Sequence, residues 1–218
     1  MTNQEIIDKT ISFLKYQFAD ESTGHDWYHI ERVWKLAKQI AEKEGGVDLF
    51  VVEMGALMHD IADHKFYGGD ETVGPKKAKE YLSQFEIADE QVNAIVQIVE
   101  EVSFKGKGVP TPMTTIEGAI VQDADRLDAI GAIGVARTFA YGGSKNRMIY
   151  DPNVKPICHT SFAAYKMSTA PTINHFYEKL LTLRDKMNTE TARKEAQRRH
   201  EFMELFLQNF YKDWDGNI

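Results

Sequence analysis

The chain has 218 residues, of which 43% are hydrophobic and 27% are charged, a composition typical of a folded globular protein and not of a disordered or fibrous one. Its net charge of −7 opposes non-specific binding to nucleic acid, and its single cysteine, Cys158, excludes an intramolecular disulfide. The start of the chain lacks a secretory signal, and no apolar run reaches the roughly 18 residues of a membrane span. We therefore expect one cytoplasmic domain over residues 1–218, with neither nucleic acid nor a membrane as partner.

Apolar residues recur three and four apart along most of the chain, which is the pattern of amphipathic helices. The predicted helices lie at about residues 4–18, 28–44, 48–59, 75–82, 89–99, 115–130 and 132–141, with two more in the C-terminal part at about 172–214. Loops are predicted at 103–114, which is rich in glycine and proline, and over most of 142–171. Because no stretch alternates apolar and polar residues, we predict an all-α fold.

A His-Asp doublet, His59-Asp60, stands at the end of the apolar segment 51–58, where buried side chains are expected. A buried carboxylate normally requires a cation, so this doublet suggests a metal ion. The alternative is a pair of hydrogen-bonded residues at the end of a helix. A second doublet, His25-Asp26, lies in a predicted loop.

Further candidate ligands lie on neighbouring predicted helices. His29 stands at the start of one of them, and the segment QDADRLDAIG places Asp123, Asp125 and Asp128 in an otherwise apolar helix. Asp125 and Asp128 are three residues apart and can share a face, whereas Asp123 points elsewhere. The spacing alone does not choose between Asp125 and Asp128.

Three segments resemble the HD-domain phosphohydrolases, a family marked by a histidine, a later His-Asp doublet and a distant aspartate. The segments are GHDWYHIERVWKLA, LMHDIADHKF and VQDADRLDAIGAIG, which span about residues 24–140. The resemblance implies that one metal ion is held by His29, His59, Asp60 and Asp125.

The C-terminal segments INHFYEKLL and MNTETARKEAQRRHEFM are similar to a bacterial branch of small, stand-alone HD proteins. Members of that branch are described as nucleotide pyrophosphohydrolases, which cleave a nucleoside triphosphate to the monophosphate and pyrophosphate. The resemblance thus implies a nucleotide as the small-molecule substrate. The alternatives are a nucleoside monophosphate phosphatase or a cyclic nucleotide phosphodiesterase with the same metal site, and a non-catalytic nucleotide or metal sensor.

Two histidines and two aspartates form a mixed nitrogen and oxygen ligand set that suits one divalent ion. We favour Mn²⁺, and Mg²⁺, Co²⁺, Fe²⁺ and Ni²⁺ are further candidates. A closed structural zinc site is disfavoured, because such sites usually rely on cysteine. A divalent ion can polarise a phosphoryl group and lower the pKa of a water molecule, so the set predicts hydrolysis at phosphorus.

Other polar residues are candidates for proton transfer or substrate binding. Asp63 and His64 follow Asp60 by three and four residues and are candidates for general base or acid. Their alternative roles are a turn cap and an exposed imidazole. The candidates for contact with the phosphates or the base of a substrate are His25, Asp26, Lys65, Tyr141, Lys145 and Arg147.

A cluster of basic residues lies near the C-terminus, at Arg193, Lys194, Arg198 and Arg199. Acidic residues are interspersed with it on the same predicted helix, at Glu190, Glu195 and Glu201. A solvated helix face is therefore expected here in preference to a binding patch.

Overall fold

The structure is a computed structural model that describes residues 1–19, 26–62, 70, 72–102, 111–157 and 169–216. Within these residues the regular elements are helical and no strand is present, so the predicted all-α fold is confirmed. The α-helices are α1 (Asn3–Gln17), α2 (Trp27–Glu44), α3 (Leu49–Met58), α4 (Val73–Leu82), α5 (Asp89–Glu101), α6 (Ile116–Asp128), α7 (Gly131–Ser144), α8 (Asn174–Glu178) and α9 (Glu190–Trp214). Two 3₁₀ turns, Leu180–Thr182 and Arg184–Lys186, lie between α8 and α9. No described helix combines the length and the apolar composition of a membrane-spanning segment.

Local contacts determine where the helices next to His29 and His59 begin and end. Asp26 caps α2, because its side chain accepts a hydrogen bond from the backbone N–H of His29 at 2.9 Å. Gly45 ends α2 with a φ of 69°, a left-handed conformation that glycine adopts without strain. Asp48 caps α3 as predicted, with the backbone N–H of Phe50 donating to its carboxylate at 3.0 Å. The four residues between α2 and α3 therefore form a tight helical hairpin.

The described residues group into two compact units, one formed by those up to Asp125 and the other by those from Arg126 onward. The prediction of a single domain over residues 1–218 stays a prediction. In the first unit, α3 packs against α1, α2 and α5, and nine of its ten residues are buried. A Cβ atom at Gly55 would lie only 3.0 Å from Cδ1 of Ile98, so the glycine permits close packing against α5. Because α3 is buried on every side, His59 follows it in a buried position.

The second unit contains the last three residues of α6 together with α7, α8, the 3₁₀ turns and α9. Aromatic rings fill part of its core, and Phe176 of α8 stacks on Phe206 of α9 with ring centres 5.7 Å apart. The first of the two C-terminal helices predicted for this region is shorter than a regular helix, since α8 has five residues and is followed by the 3₁₀ turns. Thr189 then begins α9 by accepting a hydrogen bond from the backbone N–H of Ala192.

Candidate metal centre

Two imidazole rings from different helices meet in the first unit. His29 lies in the first turn of α2 and His59 directly follows α3, and their Nε2 atoms are 3.2 Å apart. The side chains of His29 and His59 are 1% and 2% exposed. Both rings thus present the same nitrogen to one buried position.

A backbone carbonyl group determines the tautomer of His59. Its Nδ1 atom lies 2.7 Å from the carbonyl oxygen of Ala56. Because a carbonyl oxygen only accepts hydrogen bonds, Nδ1 carries the proton and the Nε2 atom of the neutral ring keeps its lone pair. An imidazole oriented by a hydrogen bond on its other nitrogen is the usual arrangement of a metal-ligating histidine.

Two carboxylates lie beside the imidazole nitrogens. Oδ2 of Asp60 lies 3.4 Å from Nε2 of His29 and 3.6 Å from Nε2 of His59. Oδ1 of Asp125, on α6, lies 3.5 Å and 3.9 Å from the same two nitrogens. Ligand atoms about 2.1 Å from an ion and at right angles to each other are about 3 Å apart, and wider angles give longer separations. The separations among His29, His59 and Asp125 therefore fit ligands of one ion, and Asp60 lies beside both nitrogens.

The site differs in exposure between its nitrogen and oxygen sides. The side chains of Asp60 and Asp125 are 18% and 30% exposed, in contrast to the buried imidazoles. Ligand atoms of His29, His59 and Asp125 all lie within 4.8 Å of one another. These three residues form a possible divalent-metal site, and the Asp125 carboxylate is partly accessible to solvent.

The structure distinguishes Asp125 from Asp128, which the spacing did not. The side chain of Asp128 is buried and its Oδ2 atom accepts a hydrogen bond from Nη1 of Arg137 at 2.7 Å, within the second unit. Asp125 Oδ1 instead faces the two histidines. Asp128 thus serves as the partner of an arginine, and Asp125 is the candidate ligand.

An ion pair with a buried carboxylate joins α2 and α3 away from the candidate ligands. Oε2 of Glu53 accepts a hydrogen bond from Nε1 of Trp34 at 2.8 Å and lies 3.2 Å from Nζ of Lys38. Trp34 follows His29 by five residues and Glu53 precedes His59 by six, so this contact lies about 8 Å along the helix axes from the ligands. It ties together the two helices that carry the histidines. Sequence analysis missed Glu53, although a lone carboxylate in the apolar segment LFVVEMGALM was a usable signal.

The structure gives the predicted substrate residue Asp26 a structural role as the cap of α2. Trp27 is buried and Nζ of Lys15 lies 5.1 Å from the centre of its ring. Four other predicted site residues lie outside the described residues, namely His25, Asp63, His64 and Lys65. Cys158 also lies outside them. Their assigned roles stay predictions.

The other predicted substrate residues come together in the second unit. Nζ of Lys145 and Cζ of Arg147 lie 5.7 Å and 5.5 Å from the ring centre of Tyr141, which is 44% exposed. Between the two cations, Asn146 has a φ of 53°, a left-handed conformation that asparagine tolerates better than most residues. Beside this group, burial and the charges of Lys179 and Arg147 lower the pKa of His175 to about 3, so its imidazole is neutral near pH 7.

Comparison with known proteins adds independent information. The HD domain family model matches residues 26–130. The uncharacterized protein YpgQ of Bacillus subtilis (strain 168) is 42% identical over 200 residues, which are 90% of this chain and 88% of YpgQ. HD domains bind a divalent metal ion, which agrees with the grouping of His29, His59 and Asp125.

Solved structures of similar proteins match nearly the whole chain. The crystal structure of an HD-superfamily hydrolase from Bacillus thuringiensis is 44% identical, covers 98% of this chain and 99% of its own, and superposes with a TM-score of 0.77. The crystal structure of Bacillus subtilis YpgQ in complex with ADP is 39% identical, with coverage of 95% and 97% and a TM-score of 0.71.

Proposed function

The chain belongs to the HD-domain family of hydrolases, and from this premise we propose that it is a metal-dependent phosphohydrolase of nucleotides. Its proposed reaction converts a ribo- or deoxyribonucleoside triphosphate to the monophosphate and pyrophosphate. The observation that carries this proposal is the convergence of two imidazole nitrogens and two carboxylate oxygens from α2, the end of α3 and α6.

The proposed metal ligands are His29, His59, Asp60 and Asp125, and the proposed ion is Mn²⁺. Imidazole and carboxylate ligands suit divalent ions of this kind, and no cysteine is required. When bound, the ion supplies Lewis-acid polarisation of a phosphoryl oxygen and lowers the pKa of a water molecule. The protein contributes a His59 ring oriented by Ala56, two negative charges that offset those of the cation, and imidazoles buried away from bulk water.

A nucleotide substrate is supported by the ADP complex of YpgQ. We assign phosphate contacts to Lys145 and Arg147, whose positive charges both lie close to the Tyr141 ring. An arginine can bind phosphate oxygens with two parallel hydrogen bonds, and a lysine binds them as a point charge. Further proposed substrate contacts come from His25, Asp26 and Lys65, with proton transfer assigned to Asp63 and His64.

The proposed reaction is tested by incubating the full chain with nucleoside mono-, di- and triphosphates and cyclic nucleotides, each with Mn²⁺, Mg²⁺ or Co²⁺. Chromatography of the products then identifies the bond that is cleaved. We expect equal amounts of nucleoside monophosphate and pyrophosphate from a triphosphate. Phosphate released from a monophosphate, or a linear product from a cyclic nucleotide, would indicate one of the other enzymes, and nucleotide binding without turnover would indicate a sensor.

A further inference from the structure

The basic cluster of α9 contains two neighbouring arginines with different environments. Arg198 is 70% exposed and hydrogen-bonds only to the carboxylate of Glu195 among the described contacts, with Nη2 to Oε1 at 2.6 Å. Arg199 is 17% exposed and donates from Nε to the same carboxylate at 2.6 Å. Nη1 of Arg199 also donates to the carbonyl oxygen of Leu127 at 2.6 Å. The expected solvated face is therefore correct for Arg198 and wrong for Arg199.

The carbonyl group that Arg199 contacts belongs to the last turn of α6. The Leu127 carbonyl oxygen also accepts a hydrogen bond from the backbone N–H of Ile130 at 3.2 Å. A cation beside the last carbonyl groups of a helix offsets the negative end of the helix dipole. The backbone after α6 makes room for this contact at Gly131, which has a φ of 78°. A Cβ atom there would lie 3.0 Å from Cγ of Arg199, so the arginine stem packs directly on the glycine.

Two more arginines anchor the same turn of α6. Arg137 holds the carboxylate of Asp128, and the guanidinium of Arg126 donates to the carbonyl oxygen of Lys186. All of these contacts lie within the second unit. The residue that precedes the anchored turn on the same helix is Asp125.

Glu195 keeps Arg199 in place. Hydrogen bonds from Arg198 and Arg199 lower the pKa of the Glu195 carboxyl to about 2, so it is ionised at neutral pH. An ionised carboxylate on one side and a helix-terminal carbonyl on the other hold the guanidinium between α9 and α6. The contact is charge-assisted at both ends, and such hydrogen bonds are stronger than neutral ones.

We propose that Arg199 is a positioning residue for Asp125. By holding the last turn of α6, which directly follows Asp125, it restrains the backbone that carries this carboxylate and thereby raises the affinity for the metal ion. The inference rests on the proposed ligand set. The HD domain match ends at residue 130, so α9 lies outside the matched region.

The test compares Mn²⁺ binding by the full-length wild type, Arg199→Met, Arg199→Lys and Arg198→Met, with free Mn²⁺ measured by electron paramagnetic resonance. Arg199→Met keeps an apolar stem but has no hydrogen-bond donor, and we expect its Kd for Mn²⁺ to rise about tenfold. A loss of this size is at the lower end of those caused by replacing groups that orient metal ligands. Arg199→Lys keeps a charged donor and should recover most of the wild-type affinity. Arg198→Met is the matched control, because it removes the exposed partner of the same glutamate, and its affinity should equal that of the wild type.

Thermal unfolding of each metal-free variant separates positioning from general stability. A lower Tm for Arg199→Met with unchanged Mn²⁺ affinity would overturn the proposal, and so would equal losses of affinity in Arg199→Met and Arg198→Met. If Arg199→Met does not fold, Arg199→Gln replaces it with the same expected direction. No nucleotide is present in the binding test, so a wild type that binds Mn²⁺ but releases no pyrophosphate contradicts only the proposed reaction. A wild type that binds no divalent ion contradicts both proposals.

Discussion

The Nε2 atoms of His29 and His59 lie 3.2 Å apart, although thirty positions separate the two residues in the sequence. The hairpin of α2 and α3 produces this proximity, since His29 lies in the first turn of α2 and His59 directly follows the end of α3. Ala56 holds the proton of His59 on Nδ1, which leaves its Nε2 lone pair directed at the shared position. The carboxylates of Asp60 and Asp125 add negative charge at the same place.

Replacing Asp60 tests the metal assignment. We expect Asp60→Ala to lose both bound metal and pyrophosphate release, because Oδ2 of Asp60 lies within 3.6 Å of both histidine nitrogens. Metal content is measured by elemental analysis after gel filtration, and activity by pyrophosphate release. Asp89→Ala, at the exposed start of α5, is the control and should retain both properties. Full activity in Asp60→Ala would contradict the assignment.

Replacing Asp26 separates its capping contact from the proposed contact with substrate. Asp26→Ala should lower the free energy of unfolding by about 1 kcal/mol, the usual cost of losing a helix cap. Asp26→Ser should restore most of that stability, because serine also caps helices. Urea denaturation measures the stability, and steady-state kinetics measure KM. If both variants have wild-type stability and a raised KM, the side chain acts through substrate binding and not as a cap.

Lys38 and Lys35 of α2 allow a comparison between an ion pair with a buried carboxylate and an ion pair at the surface. Lys38→Met leaves the buried Glu53 carboxylate without its cation and should reduce stability by about 2 kcal/mol, less than for a fully buried pair because Lys38 is itself partly exposed. Lys35→Met removes an exposed pair with Glu31 and should change stability by less than about 0.5 kcal/mol. Both values come from urea denaturation of the metal-free chain. Equal effects would show that the Glu53 contact contributes no more than a surface pair.

The basic residues near Tyr141 are tested by kinetics. Lys145→Gln with Arg147→Gln should raise KM for a nucleoside triphosphate about tenfold, equivalent to about 1.4 kcal/mol, with little change in kcat. Affinity for Mn²⁺ should not change, because neither residue belongs to the proposed ligand set. Lys155→Gln, an exposed lysine in the same unit, is the control. An unchanged KM in the double variant would rule out the assigned phosphate contacts.

The low pKa of His175 predicts that the free energy of unfolding decreases in acid. Its pKa is about 3 in the folded protein, mainly because of burial, whereas an unfolded histidine titrates near 6.5. Between these values the unfolded chain binds a proton that the folded chain does not, so stability falls as the pH falls. From pH 7 to pH 5 this difference amounts to about 2 kcal/mol. Urea denaturation across this range should show a smaller decrease for His175→Gln, and parallel curves would mean that His175 has the same pKa in the folded and unfolded protein.

Much of the fold could be predicted from local patterns. Helix periodicity places most helix ends within a few residues of those observed, because an amphipathic stripe and its caps depend on residues three to four positions apart. The His59-Asp60 doublet was identifiable for the same reason, since it follows a continuous apolar segment. The family resemblance then selected His29 and Asp125 as the remaining candidate ligands.

Only the tertiary structure assigned separate roles to residues with the same local pattern. Asp125 and Asp128 are equivalent by spacing, but Arg137 pairs with Asp128 while Asp125 faces the histidines. Arg198 and Arg199 are neighbours in one basic cluster, yet only Arg199 reaches the end of α6. These differences depend on how each helix is rotated about its axis, and that rotation is determined by partners far away in the chain. Sequence alone determined which helices and chemical groups are present, and packing decided which groups meet.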